Sequence, residues 1–202
     1  MANAAAVIFG AGNVGRGFLG QLFSESGHPV LFVDIDRPLI GALQSERAYT
    51  IRLVDDDRVQ EIRVAPVLGL LAEDGGAVAA AVAQATLAAT AVGARALGAI
   101  APLLAAGVAL RAEWGVDRSL NVVVCENLKD AAATLRDLVA RHLDEAGQDY
   151  LAERVGFVDT VIGRMVPELS PEFREKDPAL VIAEPYKELP VDRAAFVGEV
   201  PD

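Results

Sequence analysis

At 202 residues, 52% hydrophobic and 23% charged, the chain is sized for one large domain, or a domain with an appendage, and is too apolar for disorder. A net charge of −11 disfavours nucleic acid and anionic lipid as partners, because both present phosphates of the same sign. The single cysteine, Cys125, excludes an internal disulfide framework and suits a reducing cytoplasm, while the two histidines, His28 and His142, lack the spacing of metal ligands, so no metal is expected.

Ala5 to Phe9 is a short apolar run ending at a glycine, which predicts a buried strand. Val14 to Ser26 carries Val14, Phe18, Leu19, Leu22 and Phe23 at helical spacing and stops at Gly27-His28-Pro29. Val30 to Val33 reads as a second strand closing on Asp34, and Pro38 to Ser45 as a short helix. Ala48 to Val54 and Val59 to Val64 flank Asp55-Asp56-Asp57-Arg58, the pattern of a hairpin with a solvated acidic tip. The tip lacks the further oxygen ligands of a calcium loop.

The uncharged stretch Gly75 to Ala94 invites comparison with a membrane span. It is mostly small residues, however, and divides into an alanine-rich helix, Gly76 to Ala85, and a strand, Thr86 to Val92, so no span is expected. Ala96 to Arg111 follows as an apolar helix that Pro102 kinks or restarts, with Trp114 packing at its end. Leu120 to Cys125 is the next strand and Lys129 to Ala146 an amphipathic helix. Beyond Val155 the pattern changes to short strand-like runs, Gly156 to Ile162 and Leu180 to Ala183, separated by proline and charge. That tail predicts an extension of the sheet plus a long loop over Ser170 to Pro178.

Strands alternating with helices imply a mostly parallel, doubly wound α/β sheet whose ligands bind beyond the carboxyl ends of the strands. Gly10, Asp34, Gly93 and Glu126 all stand at such ends. Gly10-Ala11-Gly12-Asn13-Val14-Gly15 matches G-x-G-x-x-G between a strand and a helix, the dinucleotide-binding fingerprint of the Rossmann fold. Its first glycine permits the tight turn, its second lets a pyrophosphate approach the backbone, and its third lets the helix pack on the strand. The helix amino terminus then offers free N–H groups to the anion. Asp34, 19 residues beyond Gly15, is placed to accept both ribose hydroxyls and to repel a 2′-phosphate, favouring NAD; Arg37, close by, would argue for NADP. Arg16 either touches a phosphate or is a surface arginine, Glu126 either relays protons or is an exposed loop carboxylate, and Cys125 is a small core residue. His28 and His142 are expected in solvent.

Residues Phe9 to Phe18 resemble the opening of the mannitol-1-phosphate 5-dehydrogenase group of long-chain polyol dehydrogenases. The resemblance continues through Ser24 to Gly27, Phe32-Val33-Asp34, Thr90-Ala91-Val92-Gly93, Cys125-Glu126-Asn127-Leu128, Val155 to Asp159 and Arg164 to Pro167. It implies an NAD-dependent oxidoreductase that interconverts a polyol phosphate and a keto-sugar phosphate, mannitol 1-phosphate and fructose 6-phosphate, or alternatively a hexuronate reductase. By the resemblance, Thr90, Ala91, Val92 and Gly93 line the adenosine and ribose region, and Asn127 lies by the nicotinamide and polarises the reacting oxygen. The residues alone leave Asn127 open as a helix N-cap before Leu128 and Lys129.

The chain departs from the resemblance in three ways. The family's catalytic lysine belongs to a helical domain after the Rossmann part, and none of the three lysines here, Lys129, Lys176 and Lys187, sits in a matching motif. Gly163 stands where an aspartate is expected before Arg164, and Leu189 and Val197 replace residues typical of the tail. The expectation is therefore one NAD-binding domain over 1–202, with a core to about residue 150, a sheet extension over 151–202, and the helical catalytic domain absent. A stand-alone, non-catalytic dinucleotide-binding module is the other reading.

Overall fold

The computed structural model describes residues 4–55 and 58–200. β1 (Ala6–Phe9) has no exposed residue, and its run of small and large apolar side chains contacts helices on both faces, as a central parallel strand requires. β2 (Val30–Asp34) and β5 (Val67–Leu71) lie to one side of it. β6 (Leu87–Thr90), β7 (Leu120–Val124) and β8 (Val155–Asp159) lie to the other, giving a parallel sheet in the order β5-β2-β1-β6-β7-β8. This is the doubly wound Rossmann order, with the reversal of direction falling between β1 and β6.

The hairpin expected near residues 48–64 is present as β3 (Tyr49–Asp55) paired antiparallel with β4 (Arg58–Val64); Asp56 and Asp57 of its tip lie outside the described residues. It is inserted between the second and third strands of the main sheet. The third, β5, has no counterpart in the sequence reading. Its run Val67-Leu68-Gly69-Leu70-Leu71 is short and broken by a glycine, and a Cβ at Gly69 would press on Ile40 at 3.3 Å. The glycine thus marks where α2 (Arg37–Glu46) lies on the strand.

α1 (Gly20–Glu25) is preceded by a widened π turn over Gly15–Leu19, in which the Gly20 N–H reaches the Gly15 carbonyl. The carbonyls thereby released are taken by side chains from elsewhere. Tyr49 donates its hydroxyl to the Arg16 carbonyl at 2.6 Å, and Arg164 donates to the Gly17 carbonyl at 2.9 Å. Burial pushes the Tyr49 phenol above its ordinary range, so it remains a donor.

The stretch at 75–94 divides as expected, into α3 (Gly75–Gln84) and β6. α4 (Leu97–Glu113), with the 3-10 turn before it, is long and apolar enough to cross a membrane by composition, but here it packs Leu97, Leu104 and Val108 into the core. α4 does not restart at Pro102 but runs on through it, with one ladder bond removed by the missing N–H. The expected helix over 129–146 is instead two, α5 (Ala131–Ala140) and α6 (Glu145–Arg154). Asp144 starts the second by accepting the Gly147 N–H at 2.9 Å, and Gln148 closes the first by donating to the carbonyls of Ala140 and Leu143, each at 3.2 Å.

The tail does not run as a single extension of the sheet. β8 joins the main sheet, but β9 (Val181–Ala183) pairs parallel with β3 in a second sheet of order β4-β3-β9. The segment expected as loop contains a short helix, α7 (Pro171–Lys176), begun by its proline. The chain then returns beside the end of β8, where the Asp192 N–H donates to the Asp159 carbonyl at 3.0 Å, and passes over Gly156 to β7, where buried Asn121 exchanges two hydrogen bonds with the backbone of Val197, at 2.9 and 3.1 Å. That return covers an edge that would otherwise present unpaired backbone.

Arg111 is fully buried in α4 and donates to the carbonyls of Ala83, Ala85 and Arg118 and to the Tyr150 hydroxyl. It closes the carboxyl end of α3, where unpaired carbonyls and the helix dipole both favour a cation. Burial lowers its pKa, with the Tyr150 bond opposing. Arg111→Met keeps the bulk and removes the donors, and should lower unfolding free energy by about 3 kcal/mol in urea titration. A loss under about 1 kcal/mol would show that these bonds contribute little.

Candidate functional site

The three glycines of the opening turn meet three different surroundings. Gly10 has φ +99°, and a Cβ there would overlap the Ala91 carbonyl at the end of β6. A Cβ at Gly15 would overlap the Gly10 carbonyl, so only a bare Cα lets the helix approach the strand this closely. At Gly12 a Cβ would meet nothing within 4 Å. Gly12 therefore borders empty space above the turn, and protein packing does not require a bare Cα there. The Arg16 N–H donates to the Gly12 carbonyl at 3.0 Å. The amides of Asn13, Val14 and Gly15 thus precede that bond at the amino end of the helix, where anions are favoured.

Asp34 ends β2, half-buried beside this turn. Its Oδ2 accepts the Ala11 N–H at 2.6 Å, and its Oδ1 accepts the amides of Ile35 and Asp36 at 2.7 and 3.0 Å. The Ala11 amide is thus committed to Asp34. The carboxylate is locked in orientation with a lone pair of Oδ2 left to accept a hydroxyl. Arg37 is turned to Glu73, 2.5 Å away, in an ion pair exposed on both sides.

Two cavities open on either side of the turn. One, of about 720 Å³, is bordered by Gly12, Asn13 and Asp34, with Pro38, Leu39 and Leu169 as apolar walls. The other, of about 670 Å³, is bordered by Val14, Ala91, Gly93, Asn127, Lys129 and Thr160. Ala91 and Gly93 therefore stand on the Asn127 side of the turn. Thr90 is wholly buried in the sheet with its hydroxyl lacking a hydrogen-bond partner. The Val92 amide is bound by Glu126 at 2.9 Å.

Several open alternatives close. Asn127 is exposed and is not an N-cap, since α5 begins at Ala131 behind Asp130. Glu126 is not an exposed loop carboxylate: it is buried beneath the loop after β6, which it anchors through Val92. Arg16 is not a surface arginine but a buried one that donates to the Ala11 carbonyl and stiffens the turn from below. Cys125 is a buried core residue whose thiol burial pushes up, so it stays protonated. His142 is exposed as expected, whereas His28 is half-buried with Nδ1 3.4 Å from the Ala4 carbonyl. Gly163 lies under the Tyr186 ring, 2.9 Å from where its Cβ would be. Among the described residues no cluster of His, Cys, Asp and Glu could hold a metal ion.

The sequence reading missed Lys129 and Thr160 on the Asn127 side, and Glu168 and Glu175 on the Asp34 side. The first pair follows strands β7 and β8 and was open to discovery by the strand-end rule. The glutamates come from the tail, and nothing local marks them.

A glycine turn at the reversal of a doubly wound parallel sheet, with a carboxylate ending the next strand, defines a dinucleotide-binding domain. Residues 4–202 match the family model described as the mannitol dehydrogenase Rossmann domain, and the chain belongs to that family. It is 38% identical over 196 residues to a mannitol-1-phosphate 5-dehydrogenase of Brevibacillus brevis, covering 97% of this chain and 49% of that protein. With the Lacticaseibacillus casei protein of the same description it shares 39% over 190 residues, covering 94% and 48%. The chain spans about half the length of these relatives. Mannitol 2-dehydrogenase of Pseudomonas fluorescens, solved as a ternary complex with NAD and D-mannitol, shares the fold with a TM-score of 0.78 at 15% identity, over 95% of this chain and 50% of that one.

Gly15→Ala should lower stability by about 3 kcal/mol, because backbone rather than a flexible side chain must move to admit the methyl group. A thermal midpoint within 1 °C or so of wild type would contradict this close contact.

Proposed function

We propose that the protein binds NAD(H) across the glycine turn and is the cofactor half of an oxidoreductase moving hydride between NAD and a polyol phosphate, interconverting mannitol 1-phosphate and the keto-sugar fructose 6-phosphate. The observation that carries the reading is the empty space above Gly12, flanked by the two cavities. A diphosphate fits over the turn, its oxygens receiving the amides that begin the helix. The adenosine half then lies on the Asp34 side, where a ribose hydroxyl donates to Oδ2 and the base rests against Pro38, Leu39 and Leu169. The nicotinamide half lies on the side of Val14, Ala91, Val92, Gly93 and Asn127.

NAD supplies the hydride acceptor. The chain's own residues hold it, and the exposed amide of Asn127 is placed to donate to the oxygen of the carbon that reacts, where negative charge develops. Glu126 keeps the Val92 loop in position beneath. Lys129 stands in the same cavity and is exposed. The substrate assignment follows the names of the relatives, and with it a cytoplasmic, metabolic role.

Calorimetric titration with NADH tests the reading. Gly12→Val, whose side chain enters open space, should keep the wild-type thermal midpoint yet weaken NADH by about 100-fold, the equivalent of roughly 2.7 kcal/mol. Asp34→Ala should weaken NADH by about tenfold and lessen discrimination against NADPH. No binding by the wild-type protein, or an unchanged affinity in Gly12→Val, would overturn it.

A further inference from the structure

We propose that the outer face of α3 and α4 is the contact surface between two copies of this chain, with α4 packed antiparallel on α4 of the second copy. From residue 75 to residue 112 the only charged side chains are Arg95 and Arg111, and Arg111 is buried. The two helices run side by side in the same direction. Leu103 lies against Gly75, and the bare Cα of Gly107 makes room for Val82. Each turns one side to the core, with Val78 and Val82 from α3 and Leu97, Leu104 and Val108 from α4. The opposite side of α4 exposes Ala99, Pro102, Ala106 and Ala109 at helical spacing, with Leu103 and Leu110 half-buried along it. Next to it α3 presents exposed Gly76 and Ala77 and half-buried Ala80. A helix that is apolar all round belongs against protein on every side.

The face ends in opposite charges. Arg95 is exposed in the turn that leads into α4, and Glu113 is exposed in its last turn. Neither has an ion pair among the described residues. The exposed positions are symmetric end for end, so that in an antiparallel pair 95 falls opposite 113, 99 opposite 109 and 102 opposite 106. A two-fold axis therefore sets Arg95 against Glu113 twice, with only neutral side chains between the two pairs. The same axis lays α3 over α3 of the second copy, where Gly76, Ala77 and Ala80 add no charge. Trp114, half-exposed directly after α4, extends the apolar surface at each end. α4 is about 25 Å long, and with α3 beside it the face measures roughly 25 by 20 Å. Two such faces bury on the order of 1,000 Å² in all, where specific interfaces begin. Two copies of a chain with net charge −11 repel each other, and this neutral face is where they approach with least repulsion.

Sedimentation equilibrium tests the arrangement. The wild-type protein should be dimeric at about 100 μM and dissociate on dilution, as a small interface does. A106E places a carboxylate in the neutral centre and should weaken association by at least about 20-fold. R95E and E113R each oppose like charges twice and should weaken it by about tenfold. The double variant R95E/E113R restores both pairs and should return to within about twofold of wild type. E113R also makes the molecule less acidic, so association governed by general repulsion alone would tighten. All these positions are exposed, and thermal midpoints equal to wild type check that the fold is kept. A wild-type chain that stays monomeric at about 100 μM, or an A106E dimer as tight as wild type, would overturn the proposal and leave the face to another occupant. Tighter association of E113R, or no recovery in R95E/E113R, would overturn the antiparallel pairing of α4.

Discussion

The approach of the first helix to the first strand, allowed by the missing Cβ of Gly15 against the Gly10 carbonyl, is the constraint on which the rest depends. It brings the helix's amino end directly above the carboxyl end of β1. With the left-handed Gly10 packed against Ala91, it also fixes where the loop after β6 begins. The two cavities are consequences of that placement. One lies toward β2 and the other toward β6 and β7, because the chain winds in opposite directions from β1.

The same helix is held from its other side by parts of the chain far away in sequence. The π turn at Gly15–Leu19 turns out carbonyls that Tyr49 from the hairpin and Arg164 from the tail receive with side-chain donors. Gly17 and Gly20 are bare for the same reason: Val166 and Val181 fill the space beside the first, and Tyr49 and Phe32 beside the second. The second sheet and the tail thus clamp the first helix onto the main sheet, and the irregular turn is the shape this clamp requires.

Buried arginines have a consistent role in this acidic molecule. Arg16, Arg111 and Arg164 all donate to main-chain carbonyls in places where helices and loops leave acceptors without partners. Their guanidinium groups can reach several acceptors at once, which suits the joining of segments distant in sequence. The carboxylates are used in the opposite sense. Asp34, Asp144 and Glu126 accept backbone amides at strand ends and helix starts, where the N–H groups are unpaired.

The sequence by itself determined the alternation of strands and helices, the hairpin, the glycine turn and Asp34. Each of these depends on neighbours within a few residues: apolar periodicity, a left-handed φ, or a side chain at the end of its own strand. It did not reveal β5, the break between α5 and α6, the pairing of β9 with β3, or the side of the turn on which Ala91 and Gly93 stand. Nor did it reveal that Arg16 and Glu126 are buried, or that Glu168 and Glu175 border the same cavity as Asp34. Those features were decided only by tertiary structure, because each depends on a partner tens of residues away or more, whose position is set when the sheet winds and the tail returns across it.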